Sequence, residues 1–290
     1  MDPLSVTVRR GPLVEAVHRV HAVVVQDGKI VESVGDPELV TFYRSSSKPL
    51  QALPLARERD DITEVELAIA CASHRAEPPQ LEAARSLLER APATEADLEL
   101  GPQDGRGPSL LSHNCSGKHA GFLAVCRARD WPIEGYRLAD HPMQRLLLAE
   151  VAAAAEVPER DVPTAVDGCG VLTFGTTLER MAYTFSRFSQ LDGGARIVAA
   201  MTAHPELIGY ERGATDTDLM RLRPGWIAKG GAEGLFCATS PEGEGIALKV
   251  EDGNMRALRP AIATFLGLGD DFGSMPVENS RAEVVGEITA

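Results

Sequence analysis

Two stretches of the chain carry the pattern of β-hairpins, and they lie near opposite ends. Ala22-Val23-Val24-Val25 is apolar and largely β-branched, Asp27-Gly28-Lys29 supplies a turn, and Ile30 to Val34 follows as the return strand. Leu235-Phe236-Cys237-Ala238 runs into the turn residues Pro241 to Gly245, and Ile246-Ala247-Leu248-Lys249-Val250 comes back. Between them the apolar positions recur at helical spacing. Thr63-Glu64-Val65-Glu66 is a capping box that opens an apolar run ending near Ser73. Pro78 and Pro79 can start a helix that runs to Arg90. From Ser116 to Arg129, Phe122, Val125 and Cys126 fall on one stripe. Asp140 can cap a helix that begins at His141-Pro142, passes through the alanine-rich LLLAEVAAAAE and ends near Glu156. Thr176 to Phe188, Gly193 to Ala203 and a last segment from about Asn254 to Leu266 complete the series. Hairpins at both ends of a helical middle predict an α+β fold: one antiparallel sheet built from both chain ends, with a helix-rich lobe over residues 45–230. Strands do not alternate with helices, which argues against a doubly wound parallel sheet.

Composition narrows the class. The 290 residues are 44% hydrophobic and 24% charged, with a net charge of −13. That excess of carboxylates disfavours nucleic acid and anionic membrane, both polyanions. No apolar run reaches the length of a membrane span. The start MDPLSVTVRRG has no apolar signal core, so the expected location is cytoplasmic. Five cysteines fit free thiols, or a metal or catalytic use, better than a disulfide framework.

Three segments carry candidate chemistry. Arg44-Ser45-Ser46-Ser47-Lys48-Pro49 contains S-x-x-K, and residues three apart on a first helical turn face the same way. A serine needs a base to become a nucleophile, and a desolvated lysine can be one. S-x-x-K occurs in serine penicillin-recognising enzymes with K-T-G as a later partner, and Lys229-Gly230-Gly231 is a partial counterpart of that motif. Ser112-His113-Asn114-Cys115-Ser116-Gly117-Lys118-His119 is either a polar helix start or a metal or anion site. Asp167-Gly168-Cys169-Gly170 could add a thiolate and a carboxylate from a tight turn. Cys71-Ala72-Ser73-His74 could place a second hydroxyl in a site or simply end a helix. Cys126 and Cys237 sit among apolar neighbours and read as buried thiols.

Taken together, the segments HRVHAVVVQDGKI, RSSSKPLQALPL, CASHRAEP, LSHNCSGKHAGFLA, DHPMQ, VDGCG, AHPELIG, IAKGGAEG and KVEDGN resemble the Rhizobium-etli-type L-asparaginases, the asparaginase II family. The resemblance implies a single catalytic domain over residues 1–290, with a fold similar to serine β-lactamases and glutaminases. It implies hydrolysis of the side-chain amide of L-asparagine by a likeness of the family's two serine–lysine pairs: Ser45 as nucleophile with Lys48, and Ser73 with Lys229. It implies zinc on Cys115, Lys118 and Cys169, substrate contacts from Arg44, His74, His119 and Asp167, and a homodimer. The chain departs from the family in Ser46-Ser47, which offers alternative hydroxyls, in Gly170-Val171-Leu172 after Cys169, and in ending at Ala290 after a polar tail. Two other readings keep these residues. One is a glutaminase or β-lactam-type acyl enzyme, since a single methylene separates glutamine from asparagine. The other is a non-catalytic zinc- or amino-acid-binding protein, which would bind asparagine without releasing ammonia.

Overall fold

The structure is a computed structural model that describes residues 1–209 and 213–290. Its strands are β1 (Leu4–Arg10), β2 (Leu13–Gln26), β3 (Lys29–Val34), β4 (Val40–Phe42), β5 (Thr164–Val166), β6 (Leu172–Thr177), β7 (Ile227–Gly231), β8 (Leu235–Thr239), β9 (Gly245–Val250), β10 (Met275–Glu278) and β11 (Val284–Thr289). The main sheet runs β10-β11-β1-β2-β9-β8-β7, with β3 also paired to β2. It is antiparallel and built from both chain ends, so the α+β architecture expected from the sequence is the one observed. β2 makes this possible by its length. Its first part pairs with β1, while Ala22 to Val25 lie between β3 on one side and β9 on the other.

Two parts of the sheet differ from expectation. The polar tail forms β10 and β11, and β11 pairs with β1 from Thr7↔Thr289 to Arg10↔Gly286. Outer strands with little burial need no apolar alternation, and Ile288 is the one fully buried residue of this pair. Lys229, which the sequence placed in no strand, is inside β7, opposite Cys237. A second small sheet, β4-β6-β5, was not anticipated.

The helices are α1 (Lys48–Gln51), α2 (Leu53–Glu58), α3 (Glu64–Ala70), α4 (Pro78–Arg90), α5 (Ser116–Ala128), α6 (Pro142–Ala155), α7 (Leu178–Ser186), α8 (Gly194–Ala203), α9 (Pro205–Ile208), α10 (Thr215–Leu222), α11 (Leu258–Phe265) and α12 (Asp270–Gly273). The Thr63 capping box opens α3: Thr63 N–H donates to Glu66 Oε2 (2.8 Å), and Glu66 N–H donates to Thr63 Oγ1 (3.3 Å). The cap of α6 is His141 rather than Asp140, because the imidazole Nδ1 accepts from Met143 N–H (3.0 Å). β8 and β9 are buried along their whole length, and α7 and α11 pack against β9. Gly245 allows the close approach of α7: a Cβ there would lie 1.9 Å from the Ala182 carbonyl oxygen. Cys126 and Cys237 are buried in this core, and burial pushes the Cys126 thiol up to about 12.

Candidate active site

The serine motif is delivered by β4 to a tight turn. Arg44 has φ +48°, in the left-handed region, and residues 44–47 form one 3-10 turn before Lys48 and Pro49 start α1. The three hydroxyls are not equivalent. Ser46 Oγ donates to the Lys229 carbonyl and Ser47 Oγ to the Arg44 carbonyl, both at 2.8 Å. Ser45, by contrast, lines an open cleft of about 880 Å³ together with Ser73, Asn114, Asp216, Lys229 and Glu233. The alternative hydroxyls are thus tied to backbone, and Ser45 faces the space where a substrate would sit. A larger hollow of about 1030 Å³ beside Trp226 holds none of these groups. Gly231 lets β7 press on the serine turn, since a Cβ there would lie 2.8 Å from the Tyr43 carbonyl oxygen and 3.0 Å from Ser46 Oγ.

The lysines are paired differently from the family-based expectation. Lys48 is buried, and its Nζ donates to Ser73 Oγ (3.0 Å), to the Asn114 carbonyl (3.2 Å) and to the Ala72 carbonyl. None of these bonds goes to Ser45. A buried amine must satisfy its N–H groups, and the two carbonyls that do so lie beside Ser73, which draws the nitrogen there. Lys229, expected to hold Ser73, is instead 3.2 Å from Asp216 Oδ2 and donates to the Gly230 carbonyl (2.8 Å). Burial pushes Lys48 down to about 8, with the charges of Lys229 and Lys118 acting in the same direction and Cys115 against it. The Lys48–Ser73 couple lies at the end of α3, where Gly117 lets α5 close in: a Cβ there would be 2.2 Å from the Ile69 carbonyl oxygen.

That approach also assembles the second cluster. Cys115 caps α5, Lys118 follows one turn later, and the turn around Gly170 (φ +87°) brings in Cys169. Lys118 Nζ donates to Cys169 Sγ (3.1 Å), and all three side chains are buried. A hydrogen bond with Cys169, aided by the charges of Lys48 and Lys118, holds the Cys115 thiol well below its ordinary range against the effect of burial. For Lys118 burial works downward, but the sulfurs of Cys169 and Cys115 outweigh it and the amine is held up. Among the described residues no three His, Cys, Asp or Glu side chains converge as a metal site. The converging set is two thiols and an amine that share protons, and a divalent cation displacing those protons would meet three ligands and an open fourth position, which suits zinc.

The remaining predicted residues divide. Arg44 Nε donates to Asp167 Oδ1 (2.8 Å), so these two meet beside Ser45. Burial works to raise the Asp167 carboxyl, but Lys118, the Gly168 N–H and Arg44 together hold it below its ordinary value. His74 does not line the cleft. Its Nδ1 accepts from Ala76 N–H (3.2 Å), which puts the ring proton on Nε2, and that donates to Ser116 Oγ (2.9 Å). His119 is likewise fully buried. Tyr136 OH accepts from Glu99 N–H (2.9 Å) and donates to His119 Nδ1 (2.7 Å), and the buried ring also faces Cys169. Both imidazoles therefore brace the site from behind. Sequence reasoning gave no role to Asp216, Asn114 or Glu233. Asn114 lay inside the candidate segment from Ser112 to His119, and Asp216 is an acidic residue in the first turn of α10, but Glu233 has no local signal.

The L-asparaginase II family matches this chain over residues 6–290. No curated protein matches it. Among solved structures, a β-lactamase from Mycobacterium bovis is similar with TM-score 0.47 and 15% identity, over 85% of this chain and 94% of that one. A simvastatin synthase from Aspergillus terreus gives TM-score 0.41 and 12% identity over 86% and 93%. A β-lactamase from Desulfarculus baarsii gives 0.39 and 15% over 86% and 92%.

Proposed function

Because this chain belongs to the L-asparaginase II family, we propose that it hydrolyses the side-chain amide of L-asparagine to aspartate and ammonia, with Ser45 as nucleophile and the Lys48–Ser73 couple moving the protons. The observation that carries this reading is a buried lysine 3.0 Å from a second hydroxyl in the cleft that Ser45 lines. A neutral Lys48 has two protons to give, and the Ala72 and Asn114 carbonyls accept them. Its lone pair is then left for the Ser73 hydroxyl proton. Ser73 in turn takes the proton of Ser45 as Ser45 Oγ attacks the amide carbon. The same route reversed delivers a proton to the nitrogen as the C–N bond breaks, and ammonia leaves. Water enters by the same sequence, and aspartate departs with Ser45 restored. Lys229, fixed by Asp216, lines the cleft, where its amine can donate to the negative charge developing on the amide oxygen. Arg44, anchored on Asp167, stands at the nucleophile's shoulder to take an anionic group of the substrate. Cys115, Lys118 and Cys169 are the residues that would hold zinc, which when bound supplies Lewis acidity.

Ammonia release from asparagine, glutamine and a chromogenic β-lactam tests the reading. Turnover of asparagine well above the other two supports it. Glutamine preferred over asparagine would assign the cleft to the longer amide, and binding of asparagine with no release from any substrate would make this a non-catalytic amino-acid-binding protein.

A further inference from the structure

The tight turn between β7 and β8 contains a residue that the turn itself does not favour. Glu233 has φ +60° and Gly234 has φ +67°. Glycine or asparagine suits such positions, and a glutamate held there carries backbone strain of order 1 kcal/mol. Arg44, immediately before Ser45, is also left-handed at φ +48°. These two strained, charged residues meet beside the cleft that Glu233 lines, with Arg44 Nη1 3.8 Å from Glu233 Oε1. Gly253 makes room for the glutamate: a Cβ there would lie 2.7 Å from Glu233 Oε2. The carboxylate is therefore located at both oxygens, one toward Arg44 and one over Gly253, yet its side chain is 67% exposed. Among the described residues it makes no hydrogen bond. Three neighbouring cations have other partners: Arg44 donates through Nε to Asp167, Lys229 is held by Asp216, and Lys249, whose charge Glu233 also feels, donates to the Val250 carbonyl.

We infer that Glu233 binds the α-ammonium group of the substrate and makes the cleft selective for α-amino acid amides over the same amides without that group. The inference rests on the amidohydrolase reading above. The chemistry fits a cation at this place. The α-ammonium of asparagine is three bonds from the carbon that Ser45 attacks, and Glu233 stands over the residue next to Ser45. A single carboxylate is a poor metal site but a sufficient partner for one ammonium, which Asp216, already engaged by Lys229, is less able to be. Arg44 beside it can take the α-carboxylate, so the pair matches both charges of a zwitterion.

The test compares L-asparagine with succinamate, the same amide without the amino group, in the full-length protein and in Glu233→Gln. Glu233 is exposed, so the variant folds like the parent, and a melting curve checks this. The inference predicts that kcat/KM for asparagine falls about tenfold to a hundredfold, mostly through KM, while succinamate changes by less than about twofold. An equal fall for both substrates, or no fall for asparagine, overturns the inference and leaves the amidohydrolase reading standing. A parent protein that releases ammonia from neither substrate overturns that reading, and this inference with it.

Discussion

At the scale of single residues, the site is set by which polar groups are already committed. Ser46 and Ser47 each donate to a backbone carbonyl, so Ser46→Ala and Ser47→Ala should lower stability by about 1 kcal/mol each and leave most of the activity. Ser45→Ala should lower kcat by about 10⁴- to 10⁶-fold with an unchanged melting temperature, because its hydroxyl faces the cleft. Ammonia release and thermal melting of the three variants check both statements, and a loss centred on Ser46 or Ser47 would move the nucleophile. The motif R-S-x-x-K-P was legible in the sequence, but the partner of its lysine was not. Spacing of three residues says what a local turn permits. The nitrogen's position is decided by the Ala72 and Asn114 carbonyls, which only the tertiary fold brings to Lys48. Asp216 was hidden for the same reason, since its role exists only against β7.

At the scale of elements, close approaches through glycine hold the site. Gly245→Ala should destabilise the protein by about 1–3 kcal/mol, because the added methyl meets the α7 backbone and not a side chain that can move. Gly231→Ala acts elsewhere: it pushes β7 off the serine turn, and the expected result is a larger loss in kcat than in stability. Denaturant melts and steady-state kinetics on both variants separate these outcomes, and equal activity loss in the two would show that neither glycine is specific to the site. The two hairpins were readable because short apolar runs flank glycine-containing turns. β7 was not, since Ile227-Ala228-Lys229-Gly230-Gly231 has the composition of a loop, and its glycine is there for the approach to Ser46. β10 and β11 read as a polar tail because outer strands bury little.

At the scale of the whole molecule, a sheet drawn from both chain ends supports a helical lobe, and the cleft forms where they meet. Among the described residues no helix is long and apolar enough to cross a membrane. The packing behind the cleft relies on a neutral histidine: burial, reinforced by Lys48 and Arg106, pushes His74 down to about 3 from 6.5. The sign follows from linkage. Above pH 6.5 the ring is neutral folded or unfolded; as pH falls toward 3 the unfolded chain takes a proton that the fold refuses, so stability is lost across that window. Melting temperature should therefore fall more steeply from pH 6.5 to 4 in the parent than in His74→Gln, and parallel slopes would remove His74 from the acid response. The proposed chemistry makes the same demand of an amine, since Lys48 must be neutral to take a proton, but at a higher pH. The most direct test of the account is kcat/KM for L-asparagine against pH, in the parent and in Lys48→Met. The account predicts a parent profile that rises tenfold per pH unit and levels off above about 8, and a variant lower by about 10²–10⁴-fold without that limb. A flat parent profile between pH 6 and 9, or a variant with the parent's rate and profile, would contradict it.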